Sequence, residues 1–210
     1  MATISFAITA CNEHVELEKL LSMLYLNIKE GDEIVVQLDT TATPEVRKVV
    51  SKPDPNVVPF RVIEFALDND FASFKNNIKN HCTKDWIFFI DADETLNYYF
   101  MKNLHEFLEL NKGIVDLISV PRVNKVNGLT QSHIDKWRWF VDDNGWVNWP
   151  DYQTRICANK PEIQWINKVH ERLTGFKTSA QLPALEEWSL THIKDIERQE
   201  KQNNFYNKIG

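Results

Sequence analysis

The 210 residues carry 24 Lys and Arg against 30 Asp and Glu, a formal net charge of −6, with 43% hydrophobic and 26% charged residues. That balance excludes an intrinsically disordered chain and supplies no bulk electrostatic pull toward nucleic acid or an anionic membrane surface. Three cysteines, Cys11, Cys82 and Cys157, lie far apart without a Cys-x-x-Cys pair, so neither a disulfide framework nor a zinc site is expected. The length suits one domain, 1–210. With no run of 18 apolar residues, the expectation is a cytoplasmic protein without a transmembrane segment, peripheral membrane contact staying open.

In chain order, Ile4 to Ala10 reads as a buried strand and Cys11-Asn12-Glu13 as the turn out of it. Asn12 is a candidate N-cap for a helix whose Leu17, Leu20, Leu21, Leu24 and Ile28 share one face, with Gly31 closing it. Glu33 to Leu38 is a second strand ending in Asp39. Thr43-Pro44 supplies the cap and first-turn proline of a short helix through Val50. Val57 to Leu67 holds a third strand, and Phe71, Phe74, Ile78 and Cys82 mark another amphipathic helix. Alternation of this kind points to an α/β fold with a mostly parallel central sheet flanked by helices.

Trp86 to Ile90 is uniformly apolar and too short for a lone helix, so it reads as a strand buried on both faces of a parallel sheet. It ends in Asp91-Ala92-Asp93-Glu94. Residues two apart in an extended chain project to one side, roughly 6 to 7 Å apart, so Asp91 and Asp93 stand together at the carboxyl end of the strand. Open α/β sheets bind their ligands there. Two carboxylates this close repel unless a cation separates them, which favours a divalent metal; a solvated acidic turn is the plainer alternative.

Beyond Thr95, a helix from Tyr98 to Leu110 turns Met101, Leu104 and Leu108 inward. Asp116 to Val123 holds a strand that Pro121 ends. Trp137 to Tyr152 has no clean period and reads as an irregular aromatic loop over the carboxyl edge of the sheet. Most of the seven tryptophans lie from here on. A strand resumes at Gln153, Trp165 to Leu173 holds Val169-His170-Glu171, and His192 precedes a charged helix from Asp195 to Ile209.

Ile8-Thr9-Ala10-Cys11-Asn12-Glu13, Asp39, the run from Asp70 to Asn76 and the run from Asp85 to Glu94 together resemble the family 2 glycosyltransferases of GT-A fold. Tyr152-Gln153-Thr154-Arg155-Ile156, Trp165, Val169-His170-Glu171 and His192 are similar to the branch with the lipopolysaccharide-core β-glucosyltransferases. The series runs over residues 3 to 206. It departs from the family at Lys75, where arginine is usual, and at Cys11, where tyrosine is usual.

The resemblance implies a nucleotide-binding half, 1–95, and an acceptor-binding half, 96–210. It implies Mn²⁺ or Mg²⁺ on Asp93, with Asp91 on the ribose or the metal shell. Hard carboxylate oxygens beside a diphosphate suit either ion. Asp39 would accept from uracil, and the backbone of Thr9 and Ala10 would line the base. Asn12 is a ligand or only a helix cap. Lys75 holds a phosphate or faces water, and Asn76 lies near the metal or satisfies backbone. Arg155 neutralises the leaving diphosphate or pairs with Asp151. His192 completes the metal site, with His170 as the other candidate.

By the same resemblance Glu171 would occupy the slot of the catalytic base, its plainer role being a salt bridge to Arg172 or Lys168. Trp146, Trp149 and Trp165 either stack on an acceptor sugar or pack in the core. The implied reaction moves a hexose, glucose by resemblance, from a UDP-sugar to a saccharide or glycolipid hydroxyl with inversion, in polysaccharide or lipopolysaccharide synthesis.

Two rival readings remain. Asp91-x-Asp93-x-Thr95 after an apolar strand also spells the nucleophile motif of haloacid-dehalogenase-like phosphatases, with Asp142-Asp143 as the later acidic pair. Three strand units precede it here, which argues against that motif's usual place. A non-catalytic sugar-nucleotide or glycan binder is the other; a retained His170-Glu171 disfavours it.

Overall fold

The computed structural model describes residues 1–53 and 59–209, the side chains of 202 and 204–209 excepted. The first half alternates as expected: β1 (Ile4–Ala10), α1 (His14–Asn27), β2 (Glu33–Asp39), α2 (Pro44–Val50), β3 (Phe60–Phe65), α3 (Phe71–Asn80) and β4 (Trp86–Asp91). The expected start of the third strand, at Val57, lies outside the described residues. After β4 come β5 (Glu94–Thr95), α4 (Tyr98–Asn111), β6 (Leu117–Val120), β7 (Arg122–Asn127) and α5 (Gln131–Trp137). Then follow β8 (Gln153–Ala158), β9 (Gln164–Ile166), β10 (Arg172–Thr174), β11 (Ser179–Gln181), β12 (Leu190–Asp195) and α6 (Ile196–Ile209).

Seven strands form the main sheet in the order β11-β6-β8-β4-β1-β2-β3. β1 is flanked by β2 and β4, both parallel to it, while β8 runs antiparallel to β4 and β6. The expectation that β4 lies in an all-parallel surrounding is therefore corrected at one edge. All seven residues of β2 and five of β4 are buried, because helices cover both faces. Side chains alternate across the sheet with a period of two. Phe6, Ile8, Val36, Phe88 and Ile90 pack with residues of α1, α2 and α4 on one face. Ala7, Val35, Ile87 and Phe89 pack with Ala72 and Ile78 of α3 and with Trp165 and Leu173 on the other.

Local chemistry sets the element ends. Thr43 caps α2 through a bond from the Val46 N–H, with Pro44 at the first position, and Asp70 caps α3 through the Ser73 N–H at 2.9 Å. Asn12 does not cap α1. That position falls at Glu13, whose carboxylate turns back to accept from the backbone N–H of Cys11 and Asn12 at 2.8 and 2.9 Å. Gly31 does not close α1 either: the helix ends at Asn27, and Gly31 turns the chain into β2 at φ 97°.

Pro121 does more than end a strand. It separates β6, in the main sheet, from β7, which joins β12 and β5 in a second sheet of order β5-β12-β7. That small sheet carries chain from three distant segments to the end of β4. Residues 138–152 are irregular apart from a single bridge between Val141 and Val147. Among the described residues no helix is long and apolar enough to cross a membrane.

Candidate active site

Register places the expected strand-end residues side by side. Thr9 lies opposite Asp91 on one neighbour and Gln37 on the other, and Asp39 follows two residues beyond Gln37. By the period of two, Thr9, Gln37, Asp39 and Asp91 extend the face of Ala7, Val35 and Phe89, the α3 face. Thr9 Oγ1 donates to Asp91 Oδ1 at 3.3 Å.

Asp91 begins a chain of alternating charges. Arg155 on β8, only 3% exposed, donates from one Nη2 to Asp91 Oδ2 and to Glu94 Oε1. Glu94, fully buried, also accepts from Arg122 at 3.0 Å, and Arg122 donates onward to Asp151 at 2.6 Å. Burial alone would push the Asp91 carboxyl up; Arg155, then Lys75 and Arg122, outweigh it and hold the group well below the ordinary carboxylate range. Burial likewise works against the Arg155 cation, but Asp91 and Glu94 raise it further.

Arg155 was expected on a diphosphate or on Asp151. It is instead buried against Asp91 and Glu94, and Arg122 takes Asp151. Asp91, expected among the metal ligands, has Oδ2 engaged by Arg155 and Oδ1 by Thr9. Each of its oxygens thus already accepts one hydrogen bond.

Asp93 faces a different group. The second sheet pairs His192 on β12 with Glu94 on one side and Asn124 on the other. His192 Nε2 thereby stands 3.1 Å from Asp93 Oδ2, and its Nδ1 stands 3.2 Å from Asn124 Oδ1. Asn124 is oriented by its Nδ2, which donates to Asp151 at 2.8 Å, so Nδ1 carries the proton toward Asn124. Nε2 and the Asp93 oxygen then face each other as acceptors unless a cation, a proton or a metal ion, lies between them.

Two ligands at right angles on an octahedral ion with bonds of about 2.1 Å are separated by about 3 Å. The Asp93–His192 pair has that spacing, which is also that of a hydrogen bond, and is compatible with a divalent ion. Of the two candidate histidines it is His192 whose ring meets Asp93. Among the described residues no three His, Cys, Asp or Glu are grouped to hold an ion by themselves. Burial would raise the Asp93 carboxyl; the bond and charge of His192 and the charge of Arg198 keep it below the ordinary value despite Asp91. Lys194, two residues on from His192, is pushed down to about 8 by burial and by Arg122, against the pull of Asp93.

On the α3 side, Lys75 and Glu171 form an ion pair of 2.6 Å, with side chains 10% and 19% exposed. Lys75 Nζ also lies 4.6 Å from the centroid of the Trp165 ring. Lys75 therefore does not face water, and the partner of Glu171 is Lys75 rather than Arg172 or Lys168. The β9–β10 hairpin presents Glu171 immediately after His170, which has φ 54°. Gly175 lets the hairpin close, since a Cβ there would lie 1.8 Å from the Glu162 carbonyl oxygen.

Asn76 holds the hairpin to α3, donating to the Trp165 carbonyl at 2.8 Å and accepting from its N–H at 2.9 Å. Both ends of its amide serve backbone, the second of its two expected roles. Asn76→Ala leaves those two groups unpaired and is expected to cost about 1–3 kcal/mol, read as a lowered denaturation midpoint. Trp165 is core, 4% exposed and edge-on to Phe89. Trp146 and Trp149 are half-buried and meet edge to face at 4.9 Å.

Asp39 accepts from the Thr41 N–H and hydroxyl through Oδ1 and from the Leu67 N–H through Oδ2. Burial would raise its carboxyl, but these bonds hold it below the ordinary value. Asp142 accepts from the backbone of Asn144 and Trp146 in its own turn.

Residues 5–166 match the glycosyl transferase family 2. The chain belongs to that family. A 130-residue stretch is 25% identical to the SPbeta prophage-derived glycosyltransferase SunS of Bacillus subtilis (strain 168), covering 60% of this chain and 28% of SunS. The fold is similar to that of S. aureus TarS 1–349, with TM-score 0.59, 14% identity, and 91% of this chain and 60% of that one covered. The same TarS fragment in complex with UDP-GlcNAc gives TM-score 0.61 at 16% identity, over 91% and 58%. The chain thus spans about a quarter of SunS and three fifths of the TarS fragment. This family 2 domain has the GT-A-like fold expected from its sequence.

The cluster around Asp91 and Asp93 also contains residues that sequence reasoning passed over: Glu94, Arg122, Asn124 and Arg198. Glu94 follows Asp93 directly and Arg122 follows Pro121, but nothing in their spacing foretells that they meet. The neighbouring acid in the turn was the one available signal.

Proposed function

We propose that this domain transfers a hexose from a UDP-sugar to a hydroxyl of a saccharide or glycolipid acceptor, with inversion at the transferred carbon. Glucose is the donor sugar suggested by the sequence resemblance; N-acetylglucosamine is the one carried by the TarS complex. The observation that supports the reading most is the meeting of Asp93 and His192 at the carboxyl end of β4, on the same sheet edge as Asp39.

Asp39, with the backbone of Thr9 and Ala10, would receive the uracil ring. Asp93 and His192 would hold Mn²⁺ or Mg²⁺, which when bound supplies charge neutralisation for a leaving diphosphate. Asp91, kept ionised by Arg155, adds negative charge to the same edge. Arg155 acts through Asp91 and Glu94 and is a positioning residue. Glu171, fixed by Lys75, takes the acceptor proton while the diphosphate leaves from the opposite face of the sugar.

Screening UDP-sugars for UDP release tests this directly. One sugar should be turned over in the presence of Mn²⁺ or Mg²⁺, and Glu171→Gln should lower that turnover by about 10² to 10⁴ with donor binding unchanged. Turnover of none of them sinks the UDP-sugar reading. An undiminished Glu171→Gln moves the base elsewhere, to Asp142, Asp143 or Asp151.

A further inference from the structure

Helix α6 brings one side chain back to the strand ends from the far end of the sequence. Arg198 Nη2 donates to Asp93 Oδ2 at 3.0 Å and to Glu13 Oε1 at 3.1 Å, and its Nη1 lies 3.6 Å from Glu16 Oε1. Its side chain is 35% exposed, so it borders the cleft rather than being sealed into the core like Arg155. The oxygen it touches on Asp93 is the one that His192 Nε2 faces. A guanidinium therefore stands beside Asp93, and among the described residues its side-chain partners are carboxylates.

The geometry points to Arg198 as a diphosphate-binding residue of the donor site, parked on Asp93 and Glu13 in the ligand-free protein. This rests on the UDP-sugar reading above. Planar guanidinium groups match the paired oxygens of a phosphate as well as those of a carboxylate. Arg198 has one charge and three carboxylate partners, so a diphosphate arriving beside Asp93 competes for a donor already at its position. The exchange needs only a change in that side chain, because Glu13 and Glu16 are carried by α1 and its leading turn and stay beside the site. It also frees the Asp93 oxygen. The basic group comes from α6, not from the nucleotide-binding half, so the C-terminal helix contributes to donor affinity.

Calorimetric titration with UDP and with uridine separates the possibilities, using the parent, Arg198→Ala and Arg198→Lys in the presence of Mn²⁺. Arg198→Ala should weaken UDP about 10- to 100-fold, the worth of a charge-assisted contact to phosphate, and leave uridine unchanged. Arg198→Lys should recover part of the loss, since the charge remains and the fork does not. If the parent binds UDP and Arg198→Ala binds it equally well, Arg198 is only a strut between α6 and α1 and the donor reading stands. An equal loss for UDP and uridine likewise overturns the assignment, because the effect is then on the fold. If the parent binds no UDP, the donor reading fails and takes this inference with it.

Discussion

Asp93→Ala is expected to lower sugar transfer by about 10³-fold and to make UDP binding indifferent to Mn²⁺ or to a chelator. A cation that neutralises a leaving diphosphate is worth several kcal/mol in the transition state, and about 4 kcal/mol corresponds to that factor. Asp93 is the one carboxylate at the strand ends that meets His192, so its loss removes one of the two proposed protein ligands. The fold should tolerate the change: Arg198 keeps Glu13 and Glu16, and His192 keeps Asn124. A melting temperature close to that of the parent, alongside the lost transfer, separates a chemical role from a structural one. Near-parental transfer in the variant would show that Asp93 holds nothing the reaction needs.

Arg155→Met should instead act on stability, lowering it by about 3 kcal/mol at neutral pH. Removing one partner of a buried ion pair leaves an uncompensated charge and costs roughly 3–5 kcal/mol. The lower end applies here because Glu94 keeps Arg122 and Asp91 stays half-exposed. Acid sensitivity should change with it. The native Asp91 carboxyl is depressed, so its contribution is fully present above the unfolded value near pH 4 and is lost as pH falls through the native one. Without Arg155 the two values draw together, and the variant should lose less further stability on acidification than the parent. Urea unfolding at pH 7 and near pH 3 measures both effects, and parallel losses in the two proteins would contradict the assignment of Asp91 to Arg155.

The fold was legible because its signals are local and periodic. Trp86 to Ile90 could be nothing but a buried strand, and Thr43-Pro44 and Asp70 state their helix starts outright. The same locality explains the errors at Asn12 and Gly31: Asn12 stands next to Glu13, whose side chain took the turn, and Gly31 stands four residues past the helix end at Asn27. Strand direction is not encoded locally, so β8 beside β4 could not be read as antiparallel.

Asp91, Asp93, Asp39 and His192 were recognised as a series; the three acids lie at or just past strand ends, and His192, inside β12, is brought against Asp93. The partners were not foreseeable. Arg155 on β8 meets Glu94 across 61 residues and Arg198 on α6 meets Asp93 across 105, contacts between segments that share no common signature. Lys75 and Asn76 are adjacent yet differ in fate: one pairs with Glu171, the other bonds the backbone of Trp165. A helix turns consecutive residues in different directions, and which neighbour awaits each is a tertiary fact.

A crystal structure of the protein with UDP and Mn²⁺ tests the central claim most directly. The account predicts uracil against Asp39 and the β1 turn, the ion on Asp93 and His192, and the diphosphate beside them at the carboxyl end of β4. UDP bound at the amino ends of the strands, or an ion held away from Asp93, would contradict it.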